Sequence, residues 1–430
     1  MGLVTAAVGT ASTTMTRAER QARTRQRVLG LIFMAAAVIM AVGFALPVAS
    51  DATSGFNLNL GTTVIQLPPV TLPSKATGFV LAGAVAFAAA MQLTRGFGSR
   101  WALVLGLVAI AFVFGFLVWV AAGQSMNLTG VLQSTIQRSV PIVFGALAGV
   151  LCERVGVVNI AIEGMLLSGA FTAAVVGSVT DNPWIGMVAA VAAGGLMAAI
   201  LAVLAIRYRV DQIIAGFFIN IFASGLTAFL AVRWLSPHQE ALNRPEVLGP
   251  VPIPLLSEIP ILGPILFRHN IFVYALFVLI IVIHLGLFYT RWGLRVRAVG
   301  EHPKAADTVG INVYWVRYRN VILGGMVAGL GGAFFTIGST GGFERDMSGG
   351  RGYIGLAAMI FGGWNPIGSF LAGLVFGFAD AVQSRLSILS IGIPSEFLLM
   401  VPYVVTIVVV AGLVGRTRAP AADGKPYIKE

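Results

Sequence analysis

The sequence has few charged residues and a single cysteine. Asp, Glu, Lys and Arg make up 10% of the 430 residues, whereas roughly 25% is usual in a soluble domain. Cys152 is the only cysteine, which excludes an intrachain disulfide, and the four histidines lack metal-ligand spacing. A conventional soluble enzyme, a disulfide scaffold and a zinc site are therefore poorly supported, and we expect neither a metal nor a cofactor.

Long apolar runs dominate the chain instead. Hydrophobic residues account for 57% of it, and a membrane-spanning helix needs roughly 20 mostly apolar residues. Charged, proline or glycine residues bound about twelve such runs. The predicted spans are 28–48, 77–93, 101–122, 131–152, 162–179, 185–206, 212–232, 271–290, 320–340, 353–364, 366–384 and 396–415.

Two of these spans have unusual features. The run from Tyr353 to Trp364 is short and ends in a Gly-Gly-Trp-Asn-Pro breaker, so it predicts either a full span or half a helix that enters and leaves one side. The 131–152 run carries Gln133, Gln137 and Arg138, which indicates an aqueous cavity along its first half. The predicted fold is an all-α integral membrane protein with about 10–12 transmembrane helices and broken or re-entrant segments.

The distribution of Lys and Arg predicts the orientation in the membrane. Five arginines precede the first span, and most of the 28 basic residues fall on the side of the N-terminus when twelve spans are counted. Both termini are therefore expected in the cytoplasm. A cleaved signal peptide is the alternative for residues 17–50, but that apolar run is too long for one. The predicted regions are a basic tail (1–27), N-terminal helices (28–130), a core (131–415) containing a cytoplasmic segment (291–319), and a C-terminal tail (416–430).

Glycine pairs spaced four residues apart lie in two of the predicted spans. They are Gly325 with Gly329 and Gly373 with Gly377. Small residues at this spacing allow helices to approach closely in lipid, so we interpret both pairs as helix packing.

Few polar side chains lie at membrane depth, and these are candidates for a translocation path. The segment 155–164 is expected to be non-helical, with Asn159 and Glu163 as its polar side chains. Asn159 could instead cap the next helix, with Glu163 favoured by the helix dipole in its first turn. Asn220 and the neighbouring Phe217 would suit a flat or hydroxylated solute, although an aromatic residue in a span more often packs.

The longest polar segment on the predicted cytoplasmic side runs from Arg291 to Asn320. Pro303 suits the first position of a helix and Gly310 suits its exit, which predicts a short helix of about two turns. This helix could dock a partner, or the segment could be a plain connecting loop. Since the chain has no ATP-binding P-loop motif, any uphill transport must use another subunit or an ion gradient.

Three stretches resemble the permease subunits of ABC importers of the branched-chain amino acid and ribose type, on the simple-sugar and nucleoside branch. They are Cys152–Met165, Ala298–Ala306 with Gly310 and Ile311, and Ala357–Gly368. The resemblance extends over residues 130–415, and it departs from the family at Ala161, where glycine is frequent.

The resemblance implies a permease bundle that works with a second permease chain, two cytoplasmic ATPases and an extracytoplasmic substrate-binding protein. It also implies that residues 300–310 form the helix that couples to an ATPase. The coupling residues are then Gly300, Glu301, Pro303, Lys304, Ala305, Ala306 and Gly310. The expected solute is a nucleoside or a simple sugar.

We therefore predict a non-enzymatic transport subunit in a bacterial plasma (inner) membrane, which forms half of an ATP-driven path. Asn159, Glu163, Asn220 and Phe217 would line that path. The alternative is a stand-alone ion-coupled transporter in which Glu163, Asp380 and His284 carry protons. A signalling subunit without a path is disfavoured because no sizeable soluble domain is evident.

Overall fold

The computed structural model describes residues 17–60, 66–389 and 418–429. These residues are mostly helical, with five short strands among them. The chain divides into two compact units. The first consists of residues 1–58 and 67–128, and the second consists of residues 59–66 and 129–430.

The first unit contains three long helices and a small sheet. The helices are α1 (Arg17–Val38, continued by a π-helical turn over Ile39–Ala45), α2 (Ser74–Thr94) and α3 (Trp101–Val120). The strands β1 (Thr53–Asn57), β2 (Val70–Pro73) and β3 (Ser125–Asn127) are arranged as β2-β1-β3, with Phe56 opposite Val70 in the antiparallel pair and opposite Met126 in the parallel pair. Phe33 of α1 and Met40 of the π-helical turn that continues it pack in one apolar core with Val85 of α2.

The second unit contains the remaining helices and a two-stranded hairpin. The helices are α4 (Leu128–Glu153), α5 (Ile162–Val179), α6 (Pro183–Ala202), α7 (Gln212–Leu230), α8 (Gln239–Leu242), α9 (Leu262–Leu266), α10 (Ile271–Tyr289), α11 (Arg291–Glu301), α12 (Pro303–Thr308), α13 (Val313–Phe335), α14 (Arg351–Phe361) and α15 (Pro366–Leu389). The strands β4 (Val251–Pro252) and β5 (Arg268–His269) pair antiparallel. Short π-helical turns extend α6, α7 and α13.

Ten helical stretches in the described residues are long and apolar enough to cross a membrane. They correspond to ten of the twelve predicted spans. The predicted span 353–364 is the short helix α14, and the predicted span 396–415 lies outside the described residues. The all-helical membrane fold predicted from the sequence is confirmed.

Polar side chains at the helix starts explain where several spans begin. Asn182, Asp211, Asn270 and Asn312 each accept hydrogen bonds from backbone N–H groups in the first turn of α6, α7, α10 and α13. Such caps satisfy donors that have no partner within the helix. Because Asn312 caps α13, that helix begins at Val313, well before the predicted start at residue 320.

The glycine pairs pack helices as predicted. A Cβ atom added at Gly329 would lie 2.2 Å from the carbonyl oxygen of Ala190 in α6, and one added at Gly325 would lie 2.2 Å from Ala198 Cβ. In α15, a Cβ atom at Gly377 would lie 2.6 Å from the carbonyl oxygen of Thr135 in α4. No larger side chain fits at these contacts, so the backbones of α6 and α13, and of α4 and α15, lie close together.

Two irregular segments interrupt the helical core. The first joins α4 to α5 and contains Gly156 with a φ of +79°. The second follows α13, and it returns through residues 341–350 to α14. With 11 residues, α14 is about 16 Å long at 1.5 Å per residue, whereas a hydrocarbon core is about 30 Å thick. At its start this second stretch lies near the Ile337 carbonyl oxygen, which accepts the Leu248 N–H in the segment between α7 and α10, and it ends at Trp364 beside Arg154 and Gly300. Since these are opposite ends of the unit, α14 is the helical half of a broken span, and the prediction of half a helix that enters and leaves one side is wrong.

Helices α11 and α12 lie at the polar end of the second unit. Sequence patterns predicted only one short helix here, yet α11 is a separate helix of 11 residues. The predicted short helix is α12, with Pro303 at its first position, His302 as its cap, and Gly310 just beyond it at a φ of +85°. The C-terminal segment 418–429 packs at this same end, where the Ala422 N–H donates to the Gly300 carbonyl oxygen at 2.9 Å.

Candidate functional site

The half-helix α14 is fixed at its C-terminal end by two consecutive residues of α4 and the turn that follows. The Arg154 guanidinium donates to the carbonyl oxygens of Trp364 (2.8 Å) and Gly363 (3.2 Å). The Trp364 indole N–H donates to the Glu153 carboxylate at 2.7 Å. Burial lowers the pKa of Arg154, and the nearby Glu301 carboxylate opposes that shift.

Glu163 fixes the other end of α14. Its Oε1 atom accepts hydrogen bonds from the Ser348 hydroxyl (2.7 Å) and the Gly350 N–H (2.8 Å), and its Oε2 atom accepts one from the Gly352 N–H (2.7 Å). A carboxylate is favoured at this helix N-terminus because the first N–H groups carry partial positive charge. Glu163 also lies in the first turn of its own helix α5, as predicted.

Asn220 connects α7 to the irregular segment before α5. Its Oδ1 atom accepts the Gly164 N–H at 2.8 Å, and its Nδ2 atom donates to the Ile160 carbonyl oxygen (2.8 Å) and to the Tyr353 hydroxyl (3.0 Å). The side chain is buried and all of its hydrogen-bonding groups have partners. It therefore joins α5, α7 and α14 at one point.

The other two predicted path residues lie elsewhere. Asn159 is fully buried, and its amide contacts Cys152 Sγ (3.3 Å) and Met165 Sδ (3.7 Å). The prediction that it caps α5 is wrong, because Ala161 occupies the cap position and no side chain caps that helix. Phe217 lies one turn before Asn220 on α7, where it is 54% exposed and contacts Phe218.

A cavity of about 540 Å³ lies beside Glu163 and Asn220. We refer to it as the junction cavity. Its other polar lining residues are Ser224, Asp346, Ser348 and Tyr353. Two of these lining residues bond to each other, since the Ser224 hydroxyl donates to the Asp346 carboxylate at 2.7 Å. The structure thus brings two of the four predicted path residues to one cavity.

A second cavity, of about 640 Å³, contains arginines that sequence analysis did not connect. We refer to it as the arginine cavity; its lining includes Arg138, Arg351, Gln137, Asn270, Phe334 and Phe335. Arg138 and Arg351 both pair with Asp380, at 3.2 and 3.3 Å. A signal was present, since an arginine in α4 and an aspartate in α15 within apolar spans require partners, but spacing along the chain cannot show that they meet.

Segment 344–353 lines both cavities. Glu344, Met347 and Arg351 face the arginine cavity, while Ser348 and Tyr353 face the junction cavity. A change in the position of α14 would therefore alter both spaces at once.

The predicted coupling residues divide into packing and exposed groups. Gly300 and Ala306 are buried, and a Cβ atom at Gly300 would lie 2.2 Å from the Arg154 carbonyl oxygen. Glu301, Lys304 and Ala305 are exposed. The three sequence stretches that carried the resemblance thus meet around Arg154, which touches both Gly300 and the end of α14.

The helical bundle, its cavities and the exposed helix α12 are the features of a multi-pass membrane transport subunit. The family described as "branched-chain amino acid transport system / permease component" matches residues 131–410. The chain belongs to this family. No solved protein structure matches the chain.

Several named proteins are similar to the chain. The guanosine ABC transporter permease protein NupQ of Bacillus subtilis (strain 168) is 40% identical over 311 residues, which cover 70% of this chain and 97% of that protein. The nucleoside ABC transporter permease protein NupC of Lactococcus lactis subsp. cremoris (strain MG1363) is 40% identical over 319 residues, or 71% and 99% of the two chains. The putative glucose ABC transporter permease protein TsgC13 of Haloferax volcanii is 34% identical over 265 residues, or 61% and 80%.

These findings confirm the class of protein predicted from the sequence. The chain is a permease subunit of an ABC importer and a multi-pass membrane protein. It is a transport subunit, and ATP hydrolysis belongs to a separate subunit of the system, which also includes a substrate-binding protein. The stand-alone ion-coupled alternative is not favoured.

Proposed function

We propose that the chain imports nucleosides, and that it forms half of the translocation path beside a second permease chain. The names of the relatives NupQ and NupC support this solute class. One structural observation carries the proposal: the exposed helix α12 is connected through Gly300 and Arg154 to α14, which lines both cavities.

The connection provides a route from ATP hydrolysis to the path. An ATPase bound to α12 would move α11 and α12 together, and the close contact between Gly300 and Arg154 would carry that motion to the end of α14. Because packed interfaces move as rigid bodies rather than deform, α14 would shift relative to Glu163 and Asn220. The path in this proposal includes the arginine cavity and the junction cavity, with Asn159 and Phe217 as more distant candidates.

The proposed orientation places α11, α12 and both termini in the cytoplasm of a bacterium, with the protein in the plasma (inner) membrane. Six Lys and Arg residues between Arg291 and Arg319 support this orientation, since basic residues are retained on the cytoplasmic side. The 35-residue segment 236–270 then faces the substrate-binding protein.

Uptake measurements test the function. The chain is captured from its native membrane in mild detergent, its partners are identified by mass spectrometry, and the complex is reconstituted with its binding protein. We expect an ATPase and a second permease to be recovered, and radiolabelled guanosine uptake to require ATP. Uptake by the chain alone that a protonophore abolishes, and that is insensitive to ATP depletion, would establish the ion-coupled alternative.

A charge change on α12 tests the coupling surface. We expect Lys304→Glu with Ala305→Glu to reduce guanosine uptake by about tenfold or more. A loss of about 1.4 kcal/mol in the free energy with which the ATPase binds α12 lowers its affinity tenfold. Glu301 is left unchanged because it accepts the Ala421 N–H and so contacts the C-terminal segment. The matched control is Tyr208→Glu, an exposed position between α6 and α7 and outside the coupling segment. If the double variant takes up guanosine normally and still captures the ATPase, the assignment of α12 as the docking surface is wrong.

A further inference from the structure

The arginine cavity contains two guanidinium groups that would ordinarily bind an anion. Planar guanidinium groups bind phosphate and carboxylate with paired hydrogen bonds. Here Asp380 uses one carboxylate oxygen for each: Oδ1 lies 3.2 Å from Arg138 and Oδ2 lies 3.3 Å from Arg351. The three side chains are partly buried, with exposed fractions of 35%, 18% and 29% for Arg138, Asp380 and Arg351. The Asp380 carboxylate therefore forms an ion pair with both arginines.

The N-terminus of α14, adjacent to Arg351, is a second anion-binding feature. Free N–H groups at a helix N-terminus attract phosphate. Glu163 already accepts the N–H groups of Gly350 and Gly352 at 2.8 and 2.7 Å. Its carboxylate comes from α5, just as the Asp380 carboxylate comes from α15. Both anion-binding features around segment 344–353 are thus already hydrogen-bonded or ion-paired to carboxylates from other helices.

The groups left available in the arginine cavity suit an uncharged solute. Gln137 and Ser339 offer hydrogen bonds, and the Phe334 and Phe335 rings offer flat apolar surfaces. Glu344 adds a further carboxylate to the lining. A phosphorylated solute would have to displace Asp380 or Glu163 and leave a carboxylate unpaired at membrane depth, which is strongly unfavourable.

We propose that Asp380 and Glu163 are specificity-determining residues, which make the path accept uncharged polar solutes and reject their phosphorylated forms. This inference rests on the proposed function. It predicts that removing either carboxylate charge creates a site for phosphate.

Competition by inorganic phosphate tests the inference. The complete complex is reconstituted in vesicles, phosphate is added only on the side of the binding protein, and ATP-driven guanosine uptake is measured. We expect Asp380→Asn to lower the phosphate concentration that halves uptake by at least about tenfold relative to the wild type. Asp380→Glu retains the charge and should behave like the wild type. Arg138→Gln combined with Asp380→Asn restores the charge balance and should reverse the effect.

Two further measurements make the outcome decisive. Glu163→Gln is an independent variant, and its uptake should also become more sensitive to phosphate. In both variants phosphate should raise the thermal midpoint of the detergent-purified complex, a measurement that requires no uptake. Equal phosphate sensitivity of the wild type, Asp380→Asn and Glu163→Gln would overturn the inference. Failure of the wild-type complex to take up guanosine would instead contradict the proposed function, because the variants play no part in that result.

Discussion

At the scale of single residues, Asn220 shows that one side chain can join helices and still lie beside a cavity. Replacing it with Leu would leave the buried Gly164 N–H and the Ile160 carbonyl without partners, at about 1–3 kcal/mol for each group. We expect Asn220→Leu to lower both the thermal midpoint and guanosine uptake, as measured by size-exclusion after heating and by vesicle transport. Phe229→Leu, an exposed position on the same helix, is the matched control. An unchanged thermal midpoint with reduced uptake would contradict a joining role for Asn220.

Individual residues were predictable where local chemistry decides their role. Pro303 and Gly310 mark the ends of α12 because a fixed φ and a positive φ are needed there, and both requirements are visible in the sequence. The partners of Arg138 were not predictable, because Asp380 lies more than 200 residues away along the chain. The cap assigned to Asn159 failed because that side chain turns toward Cys152 instead.

At the scale of elements, α14 and the C-terminal segment are the least obvious from hydropathy. Mean hydropathy is averaged over about 20 residues because a full span has that length. A helix of 11 residues such as α14 therefore raises the average only slightly. The first helix of the coupling segment, α11, was missed because its sequence is rich in arginine and resembles a loop. The ten full spans were predictable because lipid requires long, internally hydrogen-bonded apolar helices.

The docking of segment 418–429 should depend on pH through Asp423. Burial raises the pKa of this carboxyl from 3.8 to about 6, partly opposed by its hydrogen bond with Glu153 and by the charge of Arg317. Between pH 3.8 and about 6 the docked segment retains a proton that an undocked segment would release, so docking weakens as the pH rises through this window.

Asp423→Asn removes the ionisation, and we therefore expect tighter docking of the segment at pH 7. Hydrogen exchange of the backbone amides in residues 418–429, corrected for intrinsic rates, should be slower in the variant at pH 7 and equal to the wild type near pH 4. Lys425→Gln serves as a control, because its exposed ammonium group donates only within the segment, to the Ala421 carbonyl oxygen. Faster exchange in Asp423→Asn at pH 7 would show that the ionised carboxylate stabilises docking.

At the scale of the whole molecule, the orientation rests on the distribution of basic residues, and the single cysteine makes it testable. Cys152 is fully buried, so it should not react with a membrane-impermeant maleimide. Val309 next to α12 is 75% exposed, and Leu255 at the other end of α10 is 80% exposed. We expect Leu255→Cys to be labelled in intact cells and Val309→Cys only after permeabilisation. Since an odd number of crossings separates the two positions, labelling of Val309→Cys alone in intact cells would invert the proposed topology and place α12 out of reach of a cytoplasmic ATPase.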